Sequence, residues 1–352
     1  MKELNQEKIK IAVVYGGRSK EHEVSVESGE SIIDTLQKNS AYEVFPILID
    51  KSGKWFLKEM GNSNQEEVFP STSPNQDGNL TKINGHQIKV DVFFPILHGR
   101  YGEDGTIQGL FELSASNFIG SDCRSSAISI DKAVTKAILR SSGLPVLPFL
   151  SFTSKEWKEK REEILIKLEN TIDTPLFVKP VAQGSSLGVH FVRDKLNIEE
   201  IIEKSFEFDD KIMIEEFADG REIECSILED KYKKPSILAS PLMEIIPKSE
   251  WYDFDSKYTD GMADLIIPAN LDESTKKKIQ EYAKSAFRII GCSDLARVDF
   301  FYREAEGEIF INEVNTLPGF TKLSGFPKMI DAAGISYDKM INILIKNKIN
   351  NY

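Results

Sequence analysis

Residues 296–320 read ARVDFFYREAEGEIFINEVNTLPGF, and their alternation organises the reading of the whole chain. Val298, Phe300 and Tyr302 alternate with Arg297, Asp299 and Phe301, the period of two that marks a half-buried strand. Residues 309–315 alternate likewise, and Ala305-Glu306-Gly307 between them fits a three-residue hairpin loop with glycine in the left-handed position. With Glu304 opposite Glu308, the ladder sets Asp299 across from Glu313 and Arg297 across from Asn315. One face then carries two carboxylates, an amide oxygen and a guanidinium at one end of the hairpin. The other sends Val298, Phe300, Tyr302, Phe310 and Val314 into a core. Facing carboxylates repel, so a cation is expected between them. Asp, Glu and Asn oxygens suit a hard ion such as Mg2+, which takes few protein ligands and completes its shell with substrate phosphates. Asn315-Thr316-Leu317-Pro318-Gly319-Phe320-Thr321 follows as a turn, leaving backbone N–H groups beside that site.

A chain of 352 residues has room for two or three domains, and 41% hydrophobic with 28% charged residues is ordinary globular composition. The net charge of −12, with no long basic run, argues against nucleic acid as a partner. Cys123, Cys225 and Cys292 are odd in number and far apart, which suits a reducing compartment, and none has metal-ligand spacing. Residues 1–10 are polar and no apolar run nears about 18 residues, so neither signal peptide nor membrane span is expected and the reading is cytoplasmic.

Residues 9–15 (IKIAVVY) form a buried strand closed by Gly16-Gly17, a helix is expected from about Ser25 to Lys38, and residues 42–49 form a second strand. This opening predicts a parallel α/β layer, with ligands beyond the carboxyl ends of its strands, where GGRSKEHE sits. It lacks the dinucleotide-binding glycine spacing. Residues 52–84 are polar and weakly patterned and read as a surface insertion. A third strand, residues 90–97, runs into HGRYGEDG, whose three glycines before a helix from Thr106 favour an anion or carboxylate. Asp131 caps a helix whose apolar residues are Ala133, Val134, Ala137 and Ile138, and Lys132 stands in its first turn, where the helix dipole disfavours a cation. That placement hints at a phosphate.

Strands at 175–180 and 189–192 enclose VAQGSSLG, a flap suited to folding over a triphosphate, with Lys179 aimed beneath it; no Walker signature is present. Strands at 211–216 and 221–228 flank Phe217-Ala218-Asp219-Gly220, and Glu215 and Glu216 at the strand end read, taken alone, as solvated carboxylates more readily than as acceptors for a nucleotide. Between residues 247 and 267 periodicity vanishes while Trp251, Tyr252, Phe254, Lys257 and Tyr258 crowd together, as in a lid that packs when closed. Residues 273–290 form an amphipathic helix ended by Gly291, and a last helix spans about 337–349.

Taken in order, YGGRSKEHEVS, LHGRYGEDGTIQG, SIDKAVTK, FVKPVAQGSSLGV, EEFADGREIE, ARVDFFY and NEVNTLPGFT resemble the ATP-grasp superfamily, and within it the D-alanine–D-alanine ligase family, along nearly the whole chain. The resemblance implies an α/β fold, α+β in parts, with an N-terminal parallel α/β domain (1–121), a small central domain (122–214) and a larger C-terminal domain (215–352). ATP would lie between the last two. It implies that Lys132 and Lys179 hold the ATP phosphates under Gly184, Ser185 and Ser186, that Glu215, Phe217, Ala218 and Glu222 line the adenosine pocket, and that Glu216 meets the adenine edge. Asp299, Glu313 and Asn315 would bind two Mg2+ ions, with Mn2+ able to substitute. Glu21 would take the ammonium of the first D-alanine and hydrogen-bond with Ser185 and Tyr258, with His98 near that substrate's carboxylate. Arg297 and the N–H of Gly319 would form an oxyanion hole, Ser324 would hold the second substrate's carboxylate, and Lys257 would reach the transferred phosphate. The lid reads YDFDSKY where the family commonly has YDYEAKY, keeping the lysine and the tyrosine, and that tyrosine favours D-alanine over D-lactate in the family pattern. The implied partners are D-alanine and ATP, with a homodimer expected from the family. The alternatives are another carboxylate–amine ligase of the superfamily and a nucleotide-binding regulator without chemistry; the retained Asp299, Glu313, Asn315 and Arg297 weigh against the second.

Overall fold

The structure is a computed structural model, and it describes residues 7–58, 65–71, 79–82, 85–184, 187–247 and 263–349. The chain opens with β1 (Ile9–Gly16), α1 (His22–Leu36) and β2 (Tyr42–Ile49). It continues through β3 (Trp55–Lys58), β4 (Gln65–Pro70), β5 (Asn79–Lys82), β6 (Gln87–Lys89) and β7 (Val92–Ile96). These strands make one sheet in the order β6-β5-β4-β3-β2-β1-β7, with β1 parallel to β2 and β7 and β3–β6 antiparallel. Where described, residues 52–84 are therefore sheet, not a patternless insertion. Their strands are short, and Val68 and Leu80 are buried among polar neighbours, too little alternation to read. Helix α1 begins three residues before the expected Ser25. Ser25 is no cap: its buried hydroxyl accepts from Gly16 N at 2.8 Å and donates to Ile96 O, joining the ends of β1 and β7.

Next come α2 (Thr106–Leu113), α3 (Cys123–Ile130), α4 (Lys132–Ser141), β8 (Phe149–Thr153) and α5 (Ser154–Thr171). They are followed by β9 (Leu176–Pro180), β10 (His190–Val192), α6 (Ile198–Ser205) and β11 (Lys211–Glu216). Strands β10-β9-β11-β8 form an antiparallel sheet backed by Trp157, Leu168, Ile198 and Ile202 of the two flanking helices. The buried side of α4 is not the one expected. Ala133, Thr135, Lys136 and Leu139 are buried while Ala137 is exposed, because Lys136 finds a carboxylate partner inside.

The chain then builds β12 (Arg221–Glu229), β13 (Ile237–Ala239), β14 (Met243–Pro247), β15 (Ala263–Ile266), α7 (Glu273–Ile290), β16 (Leu295–Arg303) and β17 (Glu308–Asn315). It closes with α8 (Gly325–Ala332) and α9 (Tyr337–Lys346). A third sheet runs β15-β14-β12-β16-β17, with β13 beside β12. Helix α7 covers it with Ile279, Ala283, Ala286, Phe287 and Ile290 and ends at Gly291, whose φ of 83° is the left-handed cap. Phe320, Phe326, Ile330, Met340 and Leu344 return to the first sheet and share a core with Ile11, Val13 and Phe94. No helix among the described residues is long and apolar enough to cross a membrane.

The opening hairpin holds its expected register at the functional end: Arg297 faces Asn315, and Asp299 faces Glu313. It does so by a different route. The turn end pairs Arg303 with Glu308, and a bulge after Asp299 takes up Asn312 as an extra residue. The bulge also changes which side chains enter the core. Ile309 and Ile311 are buried there, whereas Phe310 turns outward under the Arg303 guanidinium, 5.2 Å from its ring centre.

Candidate active site

The three sheets meet around a cleft of about 1470 Å³. The first sheet brings Glu21 and His98, each just beyond the carboxyl end of a parallel strand. Glu21 stands at the N-cap position of α1, and Gly99 lies against it: the φ of 72° favours glycine there, and a Cβ would come within 2.4 Å of Glu21 Oε2 and push that carboxylate aside. A Cβ on Gly184 would lie 3.2 Å from the same oxygen, so Gly184 stands beside Glu21. Ser19 Oγ donates to His98 O at 2.6 Å and ties the first loop to the third. His98 is buried, with Nδ1 3.2 Å from Leu317 O and Nε2 3.4 Å from Ser28 Oγ. A carbonyl can only accept, so Nδ1 carries the proton. Burial holds the imidazole pKa below its ordinary value, with the nearby Glu21 charge opposing, so His98 is neutral at neutral pH.

The second sheet and α4 contribute the lysines. Lys132 Nζ donates to Gln183 O at 2.9 Å in the glycine/serine loop and lies 3.3 Å from Glu313 Oε2. Lys179 Nζ lies 2.6 Å from Glu215 Oε2. Glu216 pairs with Arg303 Nη2 at 2.6 Å, and the same nitrogen donates to Phe217 O at 3.1 Å. Phe177, Phe191 and Phe217 pack against one another 5.3–5.8 Å apart at this end, with Ala218 buried and Glu222 also lining the cleft.

On the third sheet Arg297 reaches Asp299 through Nε and Nη2, each at 2.7 Å, and its Nε lies 3.2 Å from Glu224 Oε2. Burial works against the guanidinium charge, but Asp299 and Glu224 outweigh it and lock the charge in. Asn315 Nδ2 donates to Asp299 Oδ2 at 2.9 Å. The repulsion foreseen between Asp299 and Glu313 is thus met by the protein's own cations, Arg297 on one and Lys132 on the other. Gly319 lines the cleft near Ser324, which is the N-cap residue of α8 and exchanges a 2.8 Å hydrogen bond with Thr321 Oγ1. Strands β14 and β15 pair from Pro247↔Ala263, so the expected lid joins adjacent strands. Lys257 and Tyr258, like Ser185 and Ser186, lie outside the described residues.

Four site residues escaped the sequence reading: Glu103, Lys136, Glu224 and Arg303. Of these, only Glu103 had a local signal, its place in the glycine-rich turn. It accepts from Gly99 N at 2.6 Å, and burial, reinforced by the Glu21 charge, pushes its pKa up to about 8. The folded protein therefore keeps a proton that the unfolded chain loses near pH 4.5, and stability contributed by this group falls from there to about pH 8. Glu103→Gln should remove that slope. Its denaturation midpoint should rise relative to the parent by up to about 1.4 kcal/mol per pH unit across the window, with little change below it. Equal differences at pH 4 and pH 8.5 would refute the assignment.

Paired lysines and acidic residues between two antiparallel sheets, beside a parallel α/β layer, define an ATP-grasp enzyme. The D-ala D-ala ligase N-terminus family model matches residues 10–121, and the D-ala D-ala ligase C-terminus model matches residues 138–346. The D-alanine–D-alanine ligase of Ruminiclostridium cellulolyticum is 40% identical, covering 98% of this chain and 96% of that protein. That of Natranaerobius thermophilus is 39% identical, covering 96% and 94%. The crystal structure of the VanG D-Ala:D-Ser ligase from Enterococcus faecalis superposes with a TM-score of 0.87 at 34% identity, covering 98% of this chain and all of the other. The D-alanine-D-alanine ligase structure from Coxiella burnetii gives 0.83 at 32%, covering 97% and 94%. The chain belongs to the D-alanine–D-alanine ligase family.

Proposed function

We propose that this protein joins two D-alanines into D-alanyl-D-alanine at the expense of ATP, supplying peptidoglycan precursor synthesis in the cytoplasm, as a homodimer. The observation that carries the reading is the convergence of Glu21 and His98, Lys132 and Lys179, and Arg297, Asp299, Glu313 and Asn315 on one cleft. Lys132 and Lys179 would leave Gln183, Glu313 and Glu215 to hold the ATP phosphates, while Phe217, Ala218, Glu215, Glu216 and Glu222 receive the adenosine. Glu21 would pair with the first substrate's ammonium, and neutral His98 would lie near its carboxylate. That carboxylate attacks the γ-phosphorus of ATP, giving D-alanyl phosphate and ADP. The neutral amine of the second D-alanine then attacks the acyl carbon, phosphate departs, and the amine's proton is released. Arg297 and the Gly319 N–H would stabilise the oxyanion of that second step. Ser324, at the positive N-terminal end of α8, suits the second substrate's carboxylate. Lys257, Ser185 and Tyr258 complete this reading, reaching the phosphate and closing on Glu21.

Asp299, Glu313 and Asn315 would hold Mg2+, as two ions, with Mn2+ able to replace it. The donor set fits: all three side chains offer hard oxygens, which suit an ion that completes its shell with phosphate oxygens. When bound, the metal neutralises charge developing on the transferred phosphoryl group.

A second reading changes only the amine: the VanG neighbour is a D-Ala:D-Ser ligase. One assay separates the two. Phosphate release from ATP with Mg2+ is followed with D-alanine, with L-alanine, and with D-alanine plus D-serine or D-lactate, each product being weighed by mass spectrometry. D-alanine alone is expected to drive release and yield its dipeptide. Preferential D-alanyl-D-serine would move the assignment, and protein that binds ATP without D-alanine-dependent release would end it.

A further inference from the structure

At the nucleotide end of the cleft two lysines share one carboxylate. Glu215, 1% exposed at its side chain, is bonded by Lys136 Nζ on one oxygen and lies 2.6 Å from Lys179 Nζ on the other. The two lysines are not equivalent. Lys179 opens on the cleft, whereas the Lys136 side chain has no exposure at all and otherwise donates to Ile311 O at 3.4 Å. Lys136 therefore has no path to a ligand. It lies one helical turn after Lys132 on α4, so one rigid helix carries both a cleft lysine and this sealed one. Burial works against both charges: at Glu215 Lys136 and Lys179 together outweigh it and hold the pKa below the ordinary carboxylate value, while at Lys136 burial prevails over Glu215 and lowers the lysine's own pKa, so the pair rests on the direct contact between the two groups.

For Lys179 to reach a phosphate it must leave Glu215, and a buried carboxylate stripped of its counter-charge is costly. With Lys179 as sole partner, that cost would keep the lysine in place. We propose that Lys136 is a positioning residue of the nucleotide site: by neutralising Glu215 from below, it releases Lys179 to ATP and keeps Glu215 charged as an acceptor for the adenosine. This rests on the reading of Lys179 and Glu215 given above. The contact is also strictly internal, so its effect should be confined to nucleotide binding and not to the D-alanine sites.

The test measures ATP affinity by calorimetry with Mg2+ and no D-alanine, together with thermal stability and the KM for D-alanine. Lys136→Met is expected to weaken ATP binding about tenfold or more while the D-alanine KM stays within about twofold. Adding Glu215→Gln, which removes the trapping charge but keeps an amide oxygen, should bring ATP affinity back to within about threefold of the parent. A purely structural pair would also be rescued by removing its partner's charge, so the reading that separates the two roles is folded Lys136→Met with weakened ATP binding beside an unchanged D-alanine KM and near-parent thermal stability. ATP affinity unchanged in folded Lys136→Met, or a double variant no tighter than the single, would overturn the proposal. Should Lys136→Met not fold, the double variant decides: affinity near the parent's supports the proposal, and a tenfold loss refutes it. A parent protein that does not bind ATP would overturn the nucleotide-site reading itself, a result distinguishable from all of these.

Discussion

Asp299→Ala is expected to lower D-alanine-dependent phosphate release by about 10³-fold, because several kcal/mol of charge neutralisation at the transferred phosphoryl group are lost. Glu313→Ala should act in the same direction. The two differ in what they leave behind. In Asp299→Ala, Arg297 loses both of its 2.7 Å bonds and retains Glu224 at 3.2 Å, so the guanidinium keeps a counter-charge and the fold should survive. In Glu313→Ala, Lys132 keeps its bond to Gln183 O. Folded variants should therefore bind Mn2+ more weakly in a spectroscopic titration while unfolding close to the parent temperature. Turnover within about tenfold of the parent would remove the metal assignment from this hairpin.

Arg297→Met should be costly in two currencies. Loss of an oxyanion donor in a dry site typically lowers kcat by about 10²–10³. Unlike the previous pair, this substitution also strips the shared cation from Asp299 and Glu224, whose side chains are only 12% and 8% exposed. Breaking such a pair costs about 3–5 kcal/mol when buried, and the lower end applies because the arginine side chain is 22% exposed. The sign with pH follows. With their shared guanidinium gone, Asp299 and Glu224 are expected to have raised folded pKa values, so the folded form binds more protons and the variant's deficit grows as pH rises above the usual carboxylate range. Denaturant midpoints at pH 5 and pH 8 check it: a deficit independent of pH would show that Arg297 is not the counter-charge for these carboxylates.

Much of the site was legible because its motifs are local. Arg297, Asp299, Glu313 and Asn315 were placed on one face by alternation alone, and Lys132 and Lys179 by their positions at a helix start and a strand end, whereas Glu21 and His98 were singled out only by the family resemblance. The hairpin shows the limit of that method. Two departures, a turn one residue longer closed by Arg303↔Glu308 and a bulge at Asn312, cancel at Asp299↔Glu313, so the functional end comes out as counted while Phe310 leaves the core. A bulge has no strong composition signal, and periodicity cannot see it. Residues 52–84 hid for a related reason: short outer strands with few buried side chains do not establish a period.

Local chemistry thus dictated the strand faces, the glycine turns and the helix caps, since each depends on neighbours within a few residues. The charge partnerships were decided only when the chain closed. Lys136 is four residues from Lys132 and reads as a solvated turn of an amphipathic helix, yet it is sealed against Glu215, 79 positions away. Glu224 meets Arg297, and Arg303 meets Glu216, across strands and loops equally remote in sequence. A charge enters a protein interior only where an opposite charge is waiting, and which residues wait there is a property of the packed sheets.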